Sequence, residues 1–474
     1  MLTRTRSVVI QGGMGMAVSS WPLASAVSRA GQLGVVSGTG VDLVLARRLQ
    51  DGDLDGSVRR ALSHFPIPAV AKRLIERYYL DGGRADGASY SPVPRLALNQ
   101  SRHDQELTIA GNFVEVWLAK EGHDGPIGVN YLEKIQMATA AGAYGAMLAG
   151  VDYVLMGAGI PREIPHLLDC LATGKPAMVH VDVHGATEEH SVGIDPAEWF
   201  DGEPPTLPRP QFLAIVSSDT LAAYLARDEV TRPDGFVVEG PVAGGHNAPP
   251  RGKMVLDGAG EPVYGPRDDA NLARLAVLGL PFWLAGSYGT PEKVAEALQT
   301  GAAGVQVGTI FALSSDSGLT DEIRSSLLAE LAAGTLHIKT DASASPTGFP
   351  FKVAELPGTL ADPVARGARP RLCDLGYLRS PYVRANGAIG YRCGAEPVHM
   401  FVRKGGTAEE TVGAACLCNA LAADVGLGQT RKDGYVEQPL VTLGADLDGA
   451  RELLELYPAG WSATEAVRWL AGTD

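Results

Sequence analysis

Val8-Val9-Ile10-Gln11-Gly12-Gly13-Met14-Gly15 is a short apolar run that breaks into a glycine turn. It reads as a strand followed by a tight strand-to-helix connection. Two parallel-sheet architectures can begin this way. A doubly wound dinucleotide fold needs Gly-x-Gly-x-x-Gly opening the helix and an acidic residue about 20 positions further on. Here the glycines follow a strand ending in Gln11, and nothing marks a carboxylate for a ribose. The other architecture is a TIM-type (β/α)8 barrel, in which every strand ends in such a turn on one face.

The rest of the chain favours the barrel. A helix is expected from about Ser20 to Ala30, and the next apolar run, Gly34 to Ser37, ends in Gly38-Thr39-Gly40. Further runs are Ile127 to Asn130, Tyr153 to Met156, Ala177 to Val183, Phe212 to Val216, Phe236 to Val238, Phe282 to Ala285 and Val305 to Val307. Helical patterns follow several of them, among them Thr220 to Arg227 and Pro291 to Gln299. That makes about nine strand-like runs, against eight for a closed barrel. The extra one is expected at Ala177 to Val183, as half of a hairpin outside the barrel, because 184–210 is rich in Pro, Asp and Glu and does not read as a helix. Residues 51–104 are polar, interrupt the rhythm and read as a second insertion. The predicted organisation is therefore a barrel over residues 1–335 with insertions near 51–104 and 184–210. After it comes a C-terminal module, 336–474, of irregular segments with helices near Gly413 to Ala423 and Ala463 to Ala471, able to pack over the catalytic face.

Composition excludes several roles. With 45% apolar residues in 474, the chain can build a large core, and its net charge of −14 with no long basic run makes nucleic acid and anionic membrane poor partners. Met1 to Gln11 lacks the apolar stretch of a signal peptide, and no uncharged apolar segment is long enough to span a membrane. The five cysteines, an odd number, suit reduced thiols in the cytoplasm. Cys373, Cys393, Cys416 and Cys418 could hold zinc or an iron–sulfur cluster. Without a Cys-x-x-Cys knuckle they read instead as small core residues, and no metal is expected.

Four stretches could carry chemistry. Gln11, Gly12, Gly13 and Met14 lie where the first strand ends, and glycines there let backbone approach a flat ligand; a plain turn explains them equally well. Asn130 ends another strand with an amide that both donates and accepts, but it could also cap a helix. Ala243-Gly244-Gly245-His246 sets a histidine on a glycine loop at a barrel mouth, able to act as a base or donor near neutral pH, unless it is simply solvated. Ala285-Gly286-Ser287 and Gly308-Thr309 end the last two strands, where barrels often bind phosphate through backbone amides. His64, His103, His180 and His184 lack such a setting and read as ordinary histidines.

Taken together in this order, the four stretches resemble the nitronate monooxygenases, formerly 2-nitropropane dioxygenases, over roughly residues 7–335. Flavin-dependent enoyl reductases of fatty-acid and polyketide synthesis share that superfamily. The resemblance implies bound FMN, with Gln11, Gly12, Gly13, Met14 and Asn130 at the isoalloxazine ring. It places Gly244 and Gly245 beside the cofactor, Gly286, Ser287, Gly308 and Thr309 at the phosphate, and His246 by the flavin face as the catalytic residue. The implied activity is oxidation of alkyl nitronates with O2 to a carbonyl compound and nitrite. Its partners would be a small substrate and O2, and a homodimer is compatible with it. Two features depart from the pattern. Val242 stands where a Glu usually precedes the Ala-Gly-Gly-His stretch. The segment Asn247-Ala248-Pro249-Pro250-Arg251 and the hairpin before residue 211 resemble the enoyl reductases. The alternatives are thus an NAD(P)H-dependent flavin enoyl reductase and a non-catalytic flavin-binding scaffold.

Overall fold

The computed structural model describes residues 7–472; Met1 to Arg6, part of the stretch read above for a signal peptide, lie outside them. Eight parallel strands form one sheet: β1 Val9–Gln11, β2 Gly34–Ser37, β3 Ile127–Leu132, β4 Tyr153–Gly157, β5 Gln211–Val216, β6 Gly235–Glu239, β7 Phe282–Ala285 and β8 Gly304–Val307. Each pairs with its chain neighbour, and β8 pairs with β1. The ring closes between β1 and β2, where Gln11 donates its N–H to the Leu33 carbonyl at 3.0 Å and Leu33 donates to Val9 at 3.1 Å. This is the expected (β/α)8 barrel.

Alternation along each strand builds two cores. Ile10, Val35, Leu155, Leu213, Val237 and Trp283 point inward and fill the barrel. The residues next to them, such as Val9, Val36, Val154, Phe212, Phe236 and Leu284, point outward into the layer under the helices. Each large side chain so buried contributes about 1.5–3 kcal/mol. Polar residues start several helices: Ser218, Thr290 and Thr320 each accept the backbone N–H three residues on, at Leu221, Lys293 and Ile323.

The ninth run does form a hairpin outside the barrel, Ala177–His180 antiparallel to Ser191–Ile194. The segment 51–104 is less irregular than its polar composition suggests. It holds helices Ser57–Ser63 and Pro68–Tyr78, whose Val58, Leu62, Val70 and Leu74 are buried behind a polar outer face. The region after 335 is also more ordered than expected. It contains the hairpins Ile338–Asp341/Phe351–Ala354 and Ser380–Val383/Ile389–Arg392. Helices Leu417–Asp424 and Ala463–Leu470 appear near the two anticipated places, and Asp448–Leu456 adds an unanticipated one. These segments share one hydrophobic core with the barrel's helices. Trp461 is buried there, and its indole N–H donates to the Ile310 carbonyl at 2.8 Å. No helix among the described residues is long and apolar enough to cross a membrane.

Candidate active site

The turns after the strands converge on a cavity of about 250 Å³ at the carboxyl end of the barrel, the end where such barrels carry their chemistry. Gly12, Gly13, Met14, Asn130, Gly244, Gly245, His246, Gly286, Ser287, Gly308 and Thr309 all line it. Gln11 does not. It is fully buried, its amide donates to the Gly12 carbonyl at 2.5 Å and the Ser19 hydroxyl at 2.8 Å, and its carbonyl accepts from Val35 N–H at 2.9 Å. With its polar atoms used within the protein, Gln11 braces the first turn from beneath and is not free to touch a cofactor.

The cavity wall is built for a close, flat ligand. A Cβ on Gly13 would stand 2.3 Å from the Asn130 Cβ, so only glycine lets the first turn sit against β3. Asn130 donates to the Gly13 carbonyl at 3.2 Å, yet its own Oδ1 is buried without a partner, as is Oε1 of Gln306. Buried acceptors without donors are costly. A ring carrying N–H groups, such as an isoalloxazine, suits both. Across the cavity, Gly286 (φ +81°) and Ser287 (φ +65°) are consecutive left-handed residues. The backbone N–H groups of Gly286, Ser287 and Gly308 donate to no group among the described residues. Such free amides suit a phosphate. The residues present therefore fit FMN.

The histidine loop is held from the C-terminal part of the chain. Gly245 N–H donates to the Thr442 hydroxyl at 2.8 Å, Lys352 N–H to the Gly245 carbonyl at 2.9 Å and Ala445 N–H to the Val242 carbonyl at 2.9 Å. The His246 ring meets Phe351 edge-on, with centroids 4.9 Å apart. Its Nε2 lies 2.7 Å from the Ser345 hydroxyl, which in turn lies 2.8 Å from that of Thr347. Burial pulls the His246 pKa down to about 4, so the imidazole is neutral near pH 7. With Nε2 engaged, Nδ1 has no partner among the described residues.

A second, larger chamber of about 540 Å³ adjoins the first. Ala158, Ile215, Glu239 and His246 line both. Arg162, Arg251, Tyr264 and the hairpin residues His180 and Asp182 add polar groups to its wall. Glu239 ends β6, and burial raises its carboxyl pKa to about 7. It is thus a neutral acid over much of the pH range in which His246 is a neutral base. Motif reading missed Glu239, Gln306, Ser345 and Thr442, and it set His180 aside. Glu239 was legible only as the polar end of an apolar strand. Gln306 sits within the anticipated last strand, two residues before Gly308, and was hidden as a polar residue in an apolar run; Ser345 and Thr442 lie in no glycine motif and reach the site through long-range packing.

The nitronate monooxygenase family model matches residues 211–347, a span that includes β5 to β8 and the His246 loop. Among curated proteins none matches the chain. Similar solved structures include FabK from Thermotoga maritima (16% identity, 99% of this chain, 93% of that one, TM-score 0.48). Another is nitroalkane oxidase from Streptomyces ansochromogenes (16% identity, 98% and 95%, TM-score 0.47). A third is the enoyl reductase domain of MlnA from Bacillus amyloliquefaciens (10% identity, 98% and 94%, TM-score 0.47). Over residues 211–347 the chain thus matches the model of the family that its motifs resemble.

Proposed function

We propose that the protein oxidises alkyl nitronates with O2, giving a carbonyl compound and nitrite. The observation that carries this reading is a neutral imidazole at the junction of a flavin-shaped cradle and a polar chamber, inside the segment that matches the nitronate monooxygenases. Bound FMN would supply the electron-accepting chemistry. Lys134, Arg162 and Arg251 stand on the chamber wall among Glu133, Glu163, Asp182 and Asp268, and they are the groups there that can contact an anionic nitronate. His246 Nδ1 hydrogen-bonds its nitro group, or accepts an α-proton when the substrate arrives as a neutral nitroalkane. Ser345 holds the ring by Nε2, so that Nδ1 keeps its orientation. Phe351 and the Thr442–Ala445 segment close the back of the cavity and keep water from the ring.

A second reading rests on the chamber itself. At about 540 Å³ it exceeds what a short alkyl nitronate occupies, and it suits the longer substrate of an NAD(P)H-dependent enoyl reductase. In that case neutral Glu239 or His246 protonates the reduced product. One experiment separates the two. FMN-loaded protein is mixed anaerobically with a short-chain alkyl nitronate in one cuvette and with NADPH in another. Bleaching by the nitronate alone supports the monooxygenase. Bleaching by NADPH, with no response to the nitronate, supports the reductase instead.

A further inference from the structure

The contacts of His246 do not end at Ser345. Its Nε2 opens a chain of hydroxyls: that of Ser345 at 2.7 Å, then that of Thr347 a further 2.8 Å on. Both residues lie in the loop of the hairpin Ile338–Asp341/Phe351–Ala354. His246 bridges to Phe351 of the same hairpin, so the loop is held against the histidine. Neither hydroxyl residue lines the flavin cavity or the chamber. Ser345 is buried, whereas Thr347 is half-buried beside exposed Gly348. The chain therefore runs from the ring towards the surface by a route separate from both cavities.

The backbone restricts how these hydroxyls point. A hydroxyl donates once and accepts twice. Ser345 Oγ accepts the Thr347 backbone N–H at 3.3 Å, which leaves it one accepting and one donating position for His246 Nε2 and Thr347 Oγ1. If Nε2 carries a proton, it donates to Ser345, and Ser345 donates to Thr347. If Nε2 is bare, Ser345 donates to the ring, and Thr347 donates to Ser345. Thr347 Oγ1 accepts the Phe349 backbone N–H at 3.4 Å in both cases. It has no further partner among the described residues, so its last position is open to water. The two arrangements contain the same hydrogen bonds and differ only in direction.

Such a pair of states is what moving a proton requires. Burial makes an imidazolium costly here, as the pKa of about 4 reflects. A ring that accepts a proton at Nδ1 and keeps the one at Nε2 becomes that imidazolium. A ring that releases the Nε2 proton at the same time stays neutral.

We propose that Ser345 and Thr347 form a proton relay between His246 and solvent. The inference rests on His246 as the group that exchanges a proton with the substrate, in either reading of the function. As Nδ1 takes the α-proton of a nitroalkane, the C–H bond breaks and its electron pair stays on the substrate as the nitronate. The Nε2 proton passes to Ser345 Oγ, the Ser345 proton to Thr347 Oγ1 and the Thr347 proton to water. Each oxygen gains one proton and loses one, so both hydroxyls end neutral and the ring ends with its proton on Nδ1. The ring resets when water in the emptied chamber takes that proton and the chain returns one to Nε2. Run inward, the same chain replaces the proton that an enoyl reductase adds to its reduced product.

The first test needs no substrate. The full chain is labelled with nitrogen-15 histidine, and the His246 ring signals are identified by their loss in His246→Asn. Saturation transfer then gives the rate at which the ring proton exchanges with water. Thr347→Val keeps the bond between Ser345 and the ring and removes the outer hydroxyl, as does Thr347→Ala should the valine variant not fold. Exchange should slow several-fold in either and return to the parent rate in Thr347→Ser. Equal exchange in parent and variants means that the proton leaves through the chamber and overturns the relay. Turnover supplies the second test. Nitroethane must lose a proton, and its preformed nitronate need not. Thr347→Val should therefore slow nitroethane several-fold more than the nitronate; equal slowing of both marks a merely structural role and also overturns the relay. Protein that turns over neither compound contradicts the nitronate reading instead, and the exchange rates then decide the relay by themselves.

Discussion

Gly444 donates its backbone N–H to the hydroxyl of Thr309 at 3.0 Å, across 135 residues of chain. The last barrel turn, where phosphate is expected, is thus fastened by the C-terminal region. Thr309→Val removes the acceptor and leaves a half-buried N–H unpaired. It should cost about 1–2 kcal/mol in urea unfolding and weaken FMN binding in a fluorescence titration. Thr309→Ser should behave like the parent; equal loss in both variants would count against the hydroxyl as the fastener.

Gly13→Ala should empty the cradle without unfolding the barrel. Its new Cβ would lie 2.3 Å from the Asn130 Cβ, so Asn130 or the first turn must shift. Purified variant protein should show a native circular dichroism spectrum and a several-fold lower flavin content. Full flavin content would mean that the approach of turn to strand is looser than the geometry implies.

His246→Asn should leave FMN bound and lower turnover by about 10²–10⁴-fold, the range for loss of a positioned proton-transfer group. Ser345→Ala should cost less, because it frees the ring without removing it. Steady-state kinetics with a nitronate and with NADPH read both effects. Unchanged turnover in His246→Asn removes that residue from the mechanism.

His246 and Glu239 should give stability two opposing pH dependences. The folded-state pKa of His246 falls from 6.5 to about 4. The unfolded chain therefore takes up the proton first, and stability is lost as pH falls through that window. The pKa of Glu239 rises from 4.5 to about 7. The unfolded chain releases that proton first, and stability is lost as pH rises through it. Each effect is at most about 3 kcal/mol. Relative to the parent, Glu239→Gln should gain stability toward pH 7, and His246→Asn should gain toward pH 4. Urea midpoints measured across this range report the slopes; parallel curves for parent and variants would contradict both assignments.

The barrel was legible because its strands end in glycine turns at regular intervals, and turn chemistry is local. Gly12-Gly13, Gly244-Gly245 and Gly286-Ser287 could be placed at one mouth before any contact was known. Gln11 was misplaced for a related reason. Its position in the motif was right, but a side chain beside a ligand-binding turn can brace the turn instead of touching the ligand. The helices at 57–63 and 68–78 were hidden because each is short and its buried apolar residues alternate with Arg, Lys and Glu on the outer face, which gives the segment a polar composition. Thr442, Ser345 and Phe351 were beyond reach, because only tertiary packing brings residues so far along the chain to the His246 loop. The cysteines were legible as residue types. Their convergence on one small void required the fold.

The central claim, an FMN enzyme built on this cradle, is tested most directly by the chromophore. The purified protein is denatured and the released small molecule identified by absorbance and mass, with an apoprotein sample titrated against FMN in parallel. FMN in the supernatant, or saturable one-to-one binding that Gly13→Ala weakens, is the predicted result. Folded protein that releases no flavin and binds none on titration would contradict the account.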